Sequence, residues 1–454
     1  MLALGGLGAI MLFCVVVLKT EPQIPLIAGC VLAGGIAATL GYTWDDILKG
    51  ALDGIYDSLE AVLILMCIGM LVGVWIASGT VPTMIYYGLQ VVTPQLFLPI
   101  AFLATLAVGI VLGSWGAAGT IGIAFIGIAS ALGIPLGMAA GAIVAGAYVS
   151  EIISPLVDGP NLAAAIADCG IFALCRRFIV PCLATCAACA VAYYLMGRGF
   201  APDPSAGAAA AADQTSAITS ALAANFRIGP ADLVPLVVMI VCIALKMPAI
   251  PSFLLSTAVG MVLACTLQGQ SATLVIAAAN TGFVSATGFA PLDELLTNGG
   301  IQEMMSTISI VILVMTFSGI MKHAHLMDAL IEPVVSRLHR TGSLSCAAVA
   351  SGALFNVVLP DQYPAIAMAS QMYGNEFRRR GIANDVWGNI VNSSAGITSV
   401  LVPWNTCAVY MVTILGVPCV EYLPYALFCF GYPLVIAVIA ALFGTRVGWF
   451  PERG

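Results

Sequence analysis

Three carboxylates fall inside otherwise apolar stretches of this sequence: Glu151, Asp158 and Asp361. Close to each stand Gly, Pro, Ser or Asn, residue types that interrupt helices and leave backbone carbonyls without their usual partners. Four such interruptions stand out: Gly113-Ser114-Trp115-Gly116, Glu151 to Asn161, Pro360-Asp361-Gln362-Tyr363, and Asn392 to Thr406. Carbonyls and hydroxyls freed at a helix break can coordinate a hard cation such as sodium, and a nearby carboxylate supplies the charge. A charge at the centre of a bilayer costs about 2.5 to 3.5 kcal/mol on insertion scales, which makes an intramembrane acid a functional candidate. The plainer reading has each acid capping a half-helix near a solvated end; it weighs most for Glu151 and least for Asp158.

Asp158 leads because Ser154, Asn161 and several backbone carbonyls lie within a few residues of it. The corresponding segment later in the chain offers Ser399, Asn405 and Thr406 but no acid, so the expected site is asymmetric. Ser114 and Asn392, at the two remaining breaks, complete the candidate set. Sodium is expected to be held by Asp158, Asn161 and Asn405. With sodium bound, the acid is ionised and balanced; without it, burial favours the protonated form. The empty ionised state is costly to move through lipid, and that cost enforces exchange.

These residues need helices in lipid to position them, and the composition supplies the helices. The chain has 454 residues, of which 61% are hydrophobic and only 8% charged. Its mean hydropathy is +1.06. A soluble domain carries about 25% charged residues, so the solvent here is a bilayer. The apolar runs are long and continuous rather than alternating, which selects helices over a barrel. The fold class is therefore all-α and polytopic. A net charge of −7 with 15 Lys and Arg leaves no basic face for nucleic acid. Cys182, Cys186 and Cys189 sit in an apolar run without His and read as small buried helix residues. No cofactor is called for.

About fourteen membrane segments are predicted, near 2–18, 24–41, 59–78, 96–112, 116–133, 138–167, 178–196, 230–245, 249–267, 304–321, 343–359, 362–376, 386–412 and 422–443. The first lacks a basic start and a cleavage site, so it reads as a retained span rather than a signal peptide. Asp45, Asp46, Asp53 and Asp57 belong to a solvated amphipathic helix ahead of the third span. A stretch rich in Ala, Pro, Ser and Gly at 197–228 reads as a flexible external linker dividing two membrane repeats, 1–196 and 229–454. Leu18-Lys19 followed by Ile24-Pro25 recurs as Leu245-Lys246 followed by Ile250-Pro251, and Ser154 to Asn161 matches Ser399 to Thr406. Lys and Arg mark opposite loops in the two halves: Lys49, Arg176 and Arg177 in the first, Arg337, Arg340 and Arg378 to Arg380 in the second. Seven spans per half together with this charge pattern predict inverted topology, with both termini cytoplasmic in a cell membrane. A homodimer is compatible with this plan.

The sequence resembles the NhaC-type sodium/proton antiporters of the ion transporter superfamily from about Glu21 to Pro433. The resemblance is carried by Val74-Trp75-Ile76-Ala77-Ser78-Gly79-Thr80-Val81-Pro82, Ser114-Trp115-Gly116, Ser154-Pro155-Leu156 with Asp158 and Asn161, Asp361-Gln362-Tyr363, and Pro403-Trp404-Asn405-Thr406-Cys407. It implies exchange of external protons for internal sodium, with Asp158, Asn161, Asp361, Asn405 and Thr406 at the ion site. The chain departs from the family pattern at three places. Glu151-Ile152 stands where the family has Asp-Lys, Gly159-Pro160 where it has a Thr pair, and Asn392-Ser393 where it has an acidic pair. Relatives that move organic anions, such as malate/lactate antiporters, or amino acids keep a second reading open: a sodium- or proton-coupled carrier of a small organic solute. An intramembrane protease is disfavoured, because His323, His325 and His339 lack metal-ligand spacing and none lies deep in a span.

Overall fold

The computed structural model describes residues 23–443 except 156, 201–206, 246, 325, 327–339 and 360. The predicted first span at 2–18 lies outside the described residues, as do His325 and His339. The first half runs α1 (Gln23–Thr39), α2 (Trp44–Ala77), α3 (Thr80–Val91), α4 (Pro94–Ala117), α5 (Ile123–Ala131), α6 (Leu136–Tyr148), α7 (Ser150–Ile153), α8 (Asp158–Ala167), α9 (Ile171–Arg177) and α10 (Ile179–Gly197). After α11 (Gly207–Asn225) come α12 (Val234–Ala244), α13 (Ala249–Thr266), α14 (Ala272–Thr281), α15 (Ala290–Leu296), α16 (Ile301–His323), α17 (Thr341–Val358), α18 (Gln362–Arg379), α19 (Asn384–Ala395), α20 (Thr406–Leu415), α21 (Cys419–Tyr422) and α22 (Leu427–Phe443).

The expected all-helical architecture with broken helices is present. Four continuous helical stretches are long and apolar enough to cross a membrane, and four further bent pairs qualify if each counts as one span. The described residues therefore do not reproduce a tally of fourteen simple spans. Several spans arrive in pieces, because a Gly, Pro or Asn within them ends one helix and caps the next.

Two sequence expectations change. The amphipathic segment around Asp53 and the third span form one continuous 34-residue helix, α2, opened by a capping box of Thr43 and Asp46. At 1.5 Å per residue it is about 51 Å long, well beyond a hydrocarbon core of about 30 Å. The Thr43 hydroxyl and amide hold the solvated Asp46 carboxyl below its usual range. The stretch expected as a linker carries α11, which buries Ile218, Leu222 and, just past its end, Phe226.

Gly50 and Gly54 are packing residues. Together with Gly69 and Gly73 they form two G-x-x-x-G pairs along α2. A methyl group on Gly54 would meet the carbonyl oxygen of Met315, and one on Gly69 the carbonyl of Gly300. Backbones approach this closely in membranes because lipid gives no hydrophobic drive, and van der Waals contact must hold the helices together. α2 and α16, one from each half of the chain, thus form the central scaffold. On either side of it, α1 packs on α16 and α13 packs on α2. Likewise α4 packs on α6 in the first half and α17 on α19 in the second. Gly54→Val should overpack this seam, cost about 1–3 kcal/mol, and lower the melting midpoint of the detergent-purified protein. An unchanged midpoint would contradict the seam.

Candidate functional site

Four helix breaks meet beside the scaffold. At the first, Gly113 adopts φ 76°, ψ 172° inside α4, a conformation that L side chains rarely enter. The kink turns Ser114 inward, where its hydroxyl donates to Glu151 Oε1 at 2.6 Å. It also frees the carbonyl of Ile110, which an unbroken helix would bond to residue 114. Ser154, at the end of α7, donates to that carbonyl at 2.6 Å. The first and second breaks are thereby locked together.

Glu151 is 2% exposed, and nothing among its hydrogen-bond partners is cationic. Asn392, completely buried on α19 of the other repeat, donates its amide to the Glu151 backbone carbonyl at 2.7 Å. Glu151 Oε2 and Asn392 Oδ1 are both buried with no hydrogen-bond donor. Gly159 lies between them: a methyl there would come within 2.6 Å of Glu151 Oε2 and 3.8 Å of Asn392 Oδ1. Two acceptor oxygens facing one small space are costly unless a proton or a cation joins them.

The second buried acid is Asp361, which opens α18. Its Oδ1 accepts the Tyr363 amide at 2.9 Å, and the Thr406 hydroxyl donates to its Oδ2. Thr406 is held in turn because Asn405 caps α20, accepting the Cys407 amide at 3.2 Å, while its own amide donates to the carbonyls of Asn356 and Leu359. The Ser399 and Tyr148 hydroxyls approach the Cys407 thiol. Trp115 and Tyr410 stack with centroids 4.3 Å apart, and Tyr410 donates to the Trp115 carbonyl at 2.7 Å, joining the Gly113 break to α20.

The expected site residues therefore divide. Glu151, Ser114 and Asn392 form one buried cluster; Asp361, Thr406 and Asn405 form another. Asp158, which led the sequence reading, is exposed, with the Tyr363 hydroxyl 3.5 Å from its Oδ2. Asn161, also exposed, turns its amide back on the carbonyls of Pro155 and Val157, at 3.0 and 2.8 Å. The amides of Asn161 and Asn405, expected beside sodium, thus stitch their own breaks. Tyr148 and Tyr410 escaped sequence reasoning. Gly159 enters it only in the Gly159-Pro160 departure from the family pattern, beside Asp158.

Beside these clusters a cavity of about 810 Å3 opens between the scaffold and the broken helices. Asp53, Lys322 and His323 line it on the scaffold side, Leu162 on α8, and Tyr363 and Gln371 on α18.

Buried acids and orphaned oxygens at paired helix breaks, with a cavity beside them against a scaffold of helices from both halves of the chain, define a secondary transporter. Comparison with known proteins is more specific. The sequence matches the Na+/H+ antiporter family over residues 188–445, and the chain belongs to that family. It is 28% identical over 450 residues to the Na+/H+ antiporter NhaC of Alkalihalophilus pseudofirmus, covering 99% of this chain and 96% of that protein. It is 30% identical to the malate-2H+/Na+-lactate antiporter of Bacillus subtilis, over 100% of this chain and 95% of the relative. Among solved structures, Neisseria gonorrhoeae MtrF, described as one of a class of antimetabolite efflux pumps, aligns over 96% of this chain and 97% of its own at 14% identity, with a TM-score of 0.49.

Proposed function

We propose that this protein is a sodium/proton antiporter in which the two ions take turns at Glu151. The observation that carries this reading is the pair of orphaned, buried acceptors, Glu151 Oε2 and Asn392 Oδ1, both close to Gly159. A proton on Glu151 gives the pair its missing donor. Sodium gives it a shared cation, with Glu151 ionised. Both states are electrically balanced for the passage between inward- and outward-facing forms, whereas the empty carboxylate is not. Asp361, tied to Thr406 of the same half of the chain, is the second acid of the pathway.

The basic residues suggest the orientation. Arg177 pairs with Asp385 at 3.3 Å, and Arg378 reaches the Ile166 carbonyl at 3.3 Å, so the ends of α9 and α18 share one face. We assign that face to the cytoplasm and the chain to a cell membrane. Gln268, bonded to the Arg227 carbonyl and Asp232, then lies at the outer end, with exposed Cys265 near it. A membrane-impermeant maleimide added to intact cells should label the protein, and Cys265→Ser should remove that labelling; labelling that appears only after permeabilisation would reverse the orientation.

A second reading, coupled transport of a small organic anion, is favoured by the cavity, whose volume of about 810 Å3 exceeds what a cation needs and which carries Lys322 and His323 on its wall. Proteoliposomes loaded with sodium and diluted into sodium-free buffer separate the two. The antiporter acidifies the lumen as sodium leaves and moves no labelled malate, lactate or amino acid. Solute movement without sodium-driven acidification would replace it with the organic-anion reading.

A further inference from the structure

One residue touches both the cavity and a buried acid. Tyr363 is 40% exposed, and it lines the cavity. Its hydroxyl lies 3.5 Å from Asp158 Oδ2 on the first residue of α8, while its backbone amide donates to the capping carboxylate of Asp361 at 2.9 Å. One residue of the second repeat therefore touches the exposed acid of the first repeat on one side and the buried acid of its own repeat on the other. Tyr363 is thus the side chain that touches the cavity and Asp158 together.

We propose that Tyr363, closed against Asp158, is the gate and size filter between the cavity and the ion seat. The inference rests on the antiporter reading and adds to it the specificity-determining residue. The cavity is wide enough for organic solutes, whereas the antiporter reading requires the seat at Glu151 to take only a small cation or a proton. Something between the two must reject larger cations, and a phenol bridging the two repeats can do so while they remain in one state and swing away when they move. Asp158 then serves as the acid at the threshold, drawing cations to the ring rather than carrying them across.

The side chain can be removed without disturbing the Asp361 cap, because the capping donor is the Tyr363 backbone. Proteoliposomes of wild type, Tyr363→Phe and Tyr363→Ala are loaded with labelled sodium or labelled guanidinium, and cation efflux is read together with luminal pH. Wild type and Tyr363→Phe should exchange sodium for protons and retain guanidinium, since the ring still fills the aperture. Tyr363→Ala should release guanidinium and leak sodium without matching proton entry, on the order of tenfold above wild type. If Tyr363→Ala fails to assemble, Tyr363→Leu, which retains apolar bulk on α18, should show a smaller leak of the same kind. An alanine or leucine variant as tightly coupled and as selective as wild type overturns the gate. Absence of sodium/proton exchange in wild type would instead sink the antiporter reading.

Discussion

Replacing Glu151 with Gln should reduce sodium-driven proton movement in proteoliposomes by roughly 100-fold, the equivalent of the ~2.5–3.5 kcal/mol attached to an intramembrane charge, while leaving membrane insertion intact. The substitution is nearly isosteric. The amide can still meet the Ser114 hydroxyl, now 2.6 Å from Oε1, and the backbone carbonyl still receives Asn392. What disappears is the ability to alternate between a proton and a negative charge. Ser114→Ala tests the support for that alternation. It removes a hydrogen bond to an ionisable group, worth about 1.5–3 kcal/mol, and should weaken exchange less than the loss of Glu151 does. Exchange at wild-type rates in the Gln variant, measured on protein shown to be monodisperse, would remove Glu151 from the mechanism.

Gly159→Ala should produce the second large effect, and through a different cause. No charge changes, but the added methyl would sit 2.6 Å from Glu151 Oε2, so the carboxylate must move off its present position. Its oxygen then no longer stands where it approaches Gly159 together with Asn392 Oδ1. A proton resides on the carboxyl itself and needs little space, whereas sodium must lie between the oxygens. The half-saturating sodium concentration should therefore rise by at least about tenfold, or ~1.4 kcal/mol, with protonation of the site far less affected. If sodium dependence is unchanged in this variant, the seat is elsewhere, and Asp158 becomes the stronger candidate again.

Much of this molecule could be read in its residues. Continuous apolar runs with 8% charge leave a helical membrane protein as the outcome, since only helices satisfy their own backbone in such segments. The breaks were legible too. Gly113, Pro155 and Asn405 each stand where a helix ends or bends in the structure, because glycine tolerates positive φ, proline lacks an amide donor, and asparagine caps. Gly50 and Gly54 show the limit of that reasoning. The same residue type that breaks α4 leaves α2 straight, and only the α16 backbone lying against it explains why.

The rank of the three acids was not legible. Asp158 had the richest local setting of oxygens, yet proximity in sequence says little about which way a side chain faces at the start of a half-helix, and here it faces the cavity side. Glu151 looked ordinary because its partners come from far along the chain, Ser114 on a kinked helix and Asn392 on the opposite repeat. The sequence by itself determined the solvent, the secondary structure and the places where helices must break, all of which follow from local chemistry. Which acid loses water, which oxygens are left without donors, and which ring stands before them were decided only by the crossing of two repeats, since burial belongs to the packed assembly and not to any one segment.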